Sequence, residues 1–259
     1  VYHNDSVNLL IRTLFGEWPR ENLAQIFTGS VHGSGDFCGH YFEIGAKERR
    51  LGWLFYALKP KAMSAVSGKS PAQAAGSAGA FWRPWAAHAV SRLIELGYWD
   101  TIFQIRASDA LVEFVQRFKP DIIFTQGYSL SFTVLALTLA HCYRIPICYF
   151  PMDDWHSSLF AGSSIHRKVE SLATRLAQEA SLRFALGPKM SEVLTTRYGV
   201  PFECLYHADD PKRFPAAARS RNSQKEEIVI GYTGSLYLGR AVALCDLLMA
   251  CSLLDRPFR

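Results

Sequence analysis

The chain has 259 residues, 49% of them hydrophobic and 20% charged. That balance excludes a disordered or fibrous polymer and leaves enough apolar surface for one large domain or two smaller ones. The net charge of +5 and pI of about 8.9 are mildly basic: they permit contact with anionic lipid or phosphorylated substrates and do not single out a nucleic-acid partner. The six cysteines, Cys38, Cys142, Cys148, Cys204, Cys245 and Cys251, form no CxxC or CxxH pair, and most lie in apolar segments. They read as reduced thiols of a cytosolic protein, not as a disulfide framework or a zinc site.

The pattern along the chain predicts an α/β protein. Val7–Phe15 has helical apolar spacing that Trp18-Pro19 ends. Leu23–Gly29 reads as a strand, Tyr41–Ile44 as a short second one, and Arg49–Leu58 as a helix. Residues 62–80 are rich in Ala, Ser and Gly and read as a flexible surface segment. Phe81-Trp82-Arg83-Pro84-Trp85 follows; it reads either as an aromatic helix start after a tether or as an aromatic-basic patch resting on a membrane. Residues 86–97 and Ala107–Phe118 have helical patterns.

The central stretch is the most regular. Ile122–Gln126 is a predicted strand, Gly127 a turn, and Ser129 or Ser131 the cap of a helix running to about Tyr143. Ile147–Phe150 is the next strand. Both strands are nearly all apolar, so they are expected to be buried on both faces of a parallel sheet. A helix near Ser164–Ser181 puts Val169, Leu172, Ala173 and Leu176 on one face. Arg183–Leu186 and Phe202–Tyr206 read as further strands, separated by a helix over Lys189–Tyr198 that Gly199 closes.

Composition then shifts. Residues 1–216 read as one Rossmann-like domain, 217–227 as a polar linker, and 228–259 as the start of a second α/β domain, with strand Ile228–Tyr232, turn Thr233-Gly234-Ser235 and helix Ala241–Leu254. That helix is expected to expose an apolar face. No leader-like segment is expected from the first residues given. The longest apolar stretch, near Leu130–Ala140, stops at His141, short of the roughly 20 residues that span a bilayer. The first residue is Val and the last is Arg259, so the chain is expected to be part of a longer product.

The motif search is mostly exclusionary. No GxGxxG follows a strand, and GxxxxGK[ST], GxSxG and HExxH do not occur, which leaves dinucleotide, P-loop, hydrolase and zincin readings without anchors. What remains is position. In open parallel sheets ligands sit outside the carboxyl ends of strands. Three such ends carry polar residues: Thr125-Gln126-Gly127, Asp153-Asp154-Trp155-His156 and Gly234-Ser235. Together they are expected to face one cleft between two α/β domains.

The series KPDIIFTQG (119–127), RIPICYFPMDDWHSS (144–158), LGPKMSEVLTTRYGVPFECLYHADDPKRF (186–214) and IVIGYTGSLYLGR (228–240) resembles the motif order of family-4 glycosyltransferases of the GT-B fold. The resemblance covers about residues 119–240, and 7–45 loosely. It implies a retaining enzyme of polysaccharide biosynthesis that moves a sugar from a nucleotide-sugar donor to a glycan or lipid-linked acceptor. It implies no metal and no separate cofactor, the nucleotide-sugar being a substrate. The protein would be cytoplasmic, in peripheral contact with the inner face of the cell membrane.

Residue by residue, the family's strand-end His or Asp falls at Asp153 and Asp154, the implied catalytic pair. Gln126, Gly127, Trp155 and His156 become acceptor-binding candidates. Gly234 and Ser235 match the turn beneath the donor diphosphate, and Arg240 its basic contact. The family's first strand and glycine-rich loop would fall at or before Val1, with His3-Asn4-Asp5-Ser6 a remnant of the loop. Its donor-gripping glutamates would fall beyond Arg259, so residues 1–259 alone are expected to transfer no sugar. Plainer readings stand beside these: Asp154 as a helix cap, His156 as an exposed loop residue, Arg240 as a capping or surface residue, and the acids of His207–Asp210 as turn formers. Two other functions remain open, a sugar-nucleotide 2-epimerase and a non-catalytic transferase-like subunit of a polysaccharide-assembly complex.

Overall fold

The computed structural model describes residues 11, 13–28, 38–58, 89, 92–157, 160–206, 230–232 and 240–253. Two compact units divide at Asp209/Asp210. The first is an α/β unit with two parallel sheets. β1 (Ala24–Phe27) pairs with β2 (His40–Glu43). β3 (Ile123–Thr125), β4 (Ile147–Tyr149), β5 (Leu182–Ala185) and β6 (Glu203–Cys204) lie side by side in that order. Ile123 is in register with Ile147, Cys148 with Leu182, and Phe184 with Glu203. The expected parallel sheet is present; β3, β4 and β6 are one to three residues shorter than predicted, and β5 begins and ends one residue earlier than Arg183–Leu186. Pro146, Pro151 and Pro201 stand just outside strand ends and cannot donate to a ladder.

Helices alternate with these strands. A short α1 (Tyr98–Ile102) precedes α2 (Asp109–Phe118). α3 (Leu130–Tyr143) joins β3 to β4, α4 (Ser164–Glu179) joins β4 to β5, and α5 (Pro188–Tyr198) joins β5 to β6. Their ends follow local chemistry. Ser108, Ser129 and Ser163 accept hydrogen bonds from Leu111 N, Phe132 N and Ile165 N, so Ser129 rather than Ser131 is the cap of α3. α2, α3 and α5 end in left-handed Lys119, Arg144 and Gly199. α3 is apolar nearly all round because it serves two cores. Leu137 packs with Ile147, Tyr149 and Leu176, whereas Leu135 and Leu139 pack with Ile44, Leu111 and Phe114.

β4 is buried at every residue, as expected for a strand covered on both faces. Glu48 is a buried carboxylate among the described residues. Its carboxylate accepts from Gly45 N (2.8 Å) and Ser108 Oγ (2.6 Å), fastening the segment after β2 to the start of α2. The helix expected over Arg49–Leu58 begins at 52; Arg49 instead bridges antiparallel to Ile105.

The second unit contains α6 (Arg240–Ser252). Val242, Leu248, Met249 and Leu253 are exposed there, the apolar face expected from the sequence. Residues 230–232 are not in a strand; the remainder of the predicted strand, Ile228 and Val229, lies outside the described residues, as do 62–80, Phe81–Trp85 and the proposed linker. Among the described residues no helix is long and apolar enough to cross a membrane, and no group of His, Cys, Asp and Glu is placed to hold a metal ion. All six cysteines are free.

Candidate functional site

The loops leaving β3 and β4 meet. Gln126 Nε2 donates to Met152 Sδ at 3.2 Å, and the Tyr128 ring meets the Trp155 ring edge-on at 6.2 Å. Trp155 in turn lies over His156 at 4.0 Å between centroids. Leu130, Ile165 and Val169 back this group from α3 and α4. The acceptor-side candidates Gln126, Gly127, Asp153, Asp154, Trp155 and His156 are therefore neighbours at adjacent strand ends.

Gly127 makes the close approach possible. Its φ of +69° is left-handed, and a Cβ there would meet Tyr149 Cε2 at 3.0 Å and Leu176 Cδ2 at 3.2 Å. Gly199 has the same φ with open space around it. Gly127→Ala is therefore expected to cost about 1–3 kcal/mol, and clearly more than Gly199→Ala, which carries the backbone strain alone. Urea midpoints of the two variants check this; equal losses would remove the packing role given to Gly127.

The two aspartates part company. Asp154 is held by Arg197 of α5 through both guanidinium ends, with Nη2 to Oδ2 at 2.7 Å. This hydrogen bonding holds its carboxyl below the usual carboxylate range and raises the Arg197 pKa. Arg197 also lies over the Tyr198 ring at 5.9 Å. The 3-10 turn Trp155–Ser157 follows Asp154; Ser157 Oγ donates to the Asp154 carbonyl at 2.9 Å, so the backbone closes the turn and the carboxylate is engaged mainly by Arg197. Asp153 is exposed and makes no ion pair or hydrogen bond among the described residues.

His156 corrects the reading of an exposed loop residue. It is only 3% exposed, and its Nε2 is 3.4 Å from the Tyr149 hydroxyl. Burial pushes its pKa down to about 4, against the pull of Asp154. Burial likewise raises the phenols: Tyr149 lies well above its ordinary value, and Tyr128 is raised by burial and by Asp153.

At neutral pH the group thus holds an ionised Asp154, a cationic Arg197, a neutral imidazole and protonated phenols. None is poised to exchange a proton near pH 7. The arrangement suits hydrogen bonding and stacking of a polar ring, with Asp153 as the accessible carboxylate acceptor. Arg197, Tyr128 and Tyr149 were missed by sequence reading. Arg197 reads locally as a basic residue in the last turn of a helix, and only the pairing of β4 with β5 brings α5 to Asp154.

Gly234 and Ser235 lie outside the described residues. Arg240 is the first residue of α6, in the second unit. No family model matches the chain, and no curated protein matches it either.

Proposed function

We propose that the chain is the acceptor-side part of a glycosyltransferase of GT-B type that moves a sugar from a nucleotide-sugar to a glycan or lipid-linked acceptor with retention. The observation that carries this reading is the strand-end group itself: an exposed carboxylate, Asp153, beside a Trp155–Tyr128 aromatic surface where two parallel strands end. Retaining transfer through a front-face, oxocarbenium-like transition state asks for no protein nucleophile. It needs a stabilised diphosphate leaving group and a positioned acceptor hydroxyl. A site without a titrating residue near pH 7 fits that demand. Asp153 accepts the acceptor hydroxyl's hydrogen bond, Trp155 and Tyr128 stack on the sugar ring, and Asp154 holds the loop in place through Arg197. The donor diphosphate falls to Gly234, Ser235 and Arg240.

The test starts from the Trp155 indole N–H resonance, assigned by its loss in Trp155→Phe. Oligosaccharide and lipid-linked acceptors are expected to shift it. Asp153→Asn should weaken that binding about tenfold to a hundredfold, the worth of one hydrogen bond to a charged group, and leave the melting temperature unchanged. Asp154→Asn should lower both binding and stability, because it releases Arg197. Nucleoside diphosphate release from nucleotide-sugars by the protein with a complete donor side then reads the transfer itself. A panel of acceptors that leaves Trp155 unmoved, with no nucleotide-sugar consumed, sinks the reading. Acceptor binding without turnover would assign a non-catalytic subunit instead.

A further inference from the structure

Where β1, β2 and β3 begin, a depression of about 810 Å³ opens between Asn22, His40 and Ile122. Sites for small ligands span about 300–1,000 Å³. The depression is apart from the strand-end group, which follows the carboxyl ends of β3 and β4. Phe114, buried, and Phe118, half-buried, form its floor. The His40 ring meets Phe118 at 5.1 Å between centroids. Trp18 stands on the rim and is 51% exposed.

The rim is held in place. Trp18 N donates to Phe15 O at 3.0 Å, and its ring meets Phe15 edge-on at 5.7 Å. Gly39 N donates to the Arg20 carbonyl of the 3-10 turn Arg20–Asn22 at 2.6 Å. A Cβ on Gly39 would stand 2.7 Å from that oxygen, so glycine lets β2 begin against the turn. Lys119 closes α2 in left-handed conformation, and Pro120 fixes the backbone before Asp121. Glu21, Arg117, Lys119 and Asp121 are exposed around the depression, and none has an ion pair or a side-chain hydrogen bond among the described residues. These two cations and two carboxylates cancel. An ionic ligand gains no net field from such a lining. A neutral polyhydroxyl ligand uses both signs, because its hydroxyls donate to the carboxylates and accept from the guanidinium and the ammonium.

We propose that this depression is a second binding site of the chain, for a neutral glycan. The C–H face of a sugar ring packs on the exposed part of Trp18. Glu21 and Asp121 accept hydrogen bonds from the sugar hydroxyls, and Arg117 and Lys119 donate to them. Other ligand classes fit the lining less well. A nucleotide would set its phosphates beside Glu21 and Asp121 as well as beside the cations. An apolar chain would cover charged groups that it cannot bond. The inference stands on this lining alone and does not depend on what the strand-end group binds.

The experiment follows the Trp18 indole N–H resonance of the 259-residue chain, assigned by its loss in Trp18→Phe. Maltohexaose, cellohexaose, mannohexaose and laminarihexaose are the neutral probes; oligogalacturonate and ATP are the anionic ones. At least one neutral hexasaccharide is expected to shift Trp18 together with the amides of His40 and Asp121. Its affinity should change less than about twofold between low and high salt, since no net charge is neutralised. Trp18→Ala should weaken binding about tenfold or more. Asp121→Asn and Arg117→Gln, at exposed positions, should each weaken it about threefold to tenfold and leave the urea midpoint unchanged. Trp155→Phe should leave it as it was, which separates this site from the strand-end group. A neutral panel that leaves Trp18 unmoved overturns the proposal. So does tighter binding of the anionic probes, or full affinity in Asp121→Asn and Arg117→Gln. Shifts confined to Trp155 would support the strand-end reading and overturn this one.

Discussion

The unit formed by residues 1–209 is expected to lose about 3 kcal/mol of stability between pH 6.5 and pH 4 through His156 alone. Its imidazole is depressed from 6.5 to about 4 in the folded protein, with burial as the first cause. Above pH 6.5 the ring is neutral in both states and contributes no pH dependence. As pH falls below 6.5 the unfolded chain takes up a proton that the folded chain refuses, so unfolding gains ground. The loss is complete once the folded pKa is passed, and each unit of difference is worth about 1.4 kcal/mol. The surroundings explain the refusal: the Tyr149 hydroxyl faces Nε2, Trp155 covers the ring, and Arg197 opposes a second cation while Asp154 favours it. Asp154 itself titrates in a lower window, because Arg197 holds its pKa below 3.8. Urea midpoints at pH 7, 5.5 and 4.5 should therefore fall steeply for the natural chain and much less for His156→Gln. Parallel losses in the two proteins would show that the imidazole is not the group responsible.

Leu176→Ala is expected to cost about 2–5 kcal/mol, a large part of the total stability of a typical domain. Leu176 is fully buried on α4 in the core cluster with Tyr149, Ala185 and Leu194. Its Cδ2 also packs directly beneath Gly127. Truncation leaves a hole bounded by the sheet on one side and by a left-handed glycine turn on the other, and neither collapses easily. Leu176→Met keeps the volume and should lose less than about 1.5 kcal/mol. Urea denaturation with an unchanged slope measures both. A loss below about 1 kcal/mol for the alanine variant would mean that the turn relaxes into the space, and would weaken the account of Gly127 as tightly packed.

The sequence carried the α/β class and the parallel sheet in its two-face apolar strands, because a strand covered by helices on both faces has no polar side to show. Ile147–Tyr149 was legible for that reason and is buried throughout, whereas Ile123–Thr125, from an equally apolar run, is only half-buried. The helices after them were legible too, α3 from the capping signal of Ser129 or Ser131 and α4 from the apolar face of Val169, Leu172, Ala173 and Leu176. The same local rules missed α1 over Tyr98–Ile102, where Gly97 enters in left-handed conformation without a side-chain cap, and set the helix of residues 52–58 too early, because the Arg49 bridge to Ile105 is a contact between distant segments.

Within the site, the strand-end position of Asp153, Asp154 and His156 followed from sequence, since a buried run that turns acidic must be leaving the sheet. Their different states did not. Tertiary structure alone decided that Asp154 is tied to Arg197 of α5, 43 positions away, that His156 is buried against Tyr149, and that Asp153 is exposed. Ion pairing and burial are set by which elements pack together, and local spacing does not encode that when the partners come from separate βα units.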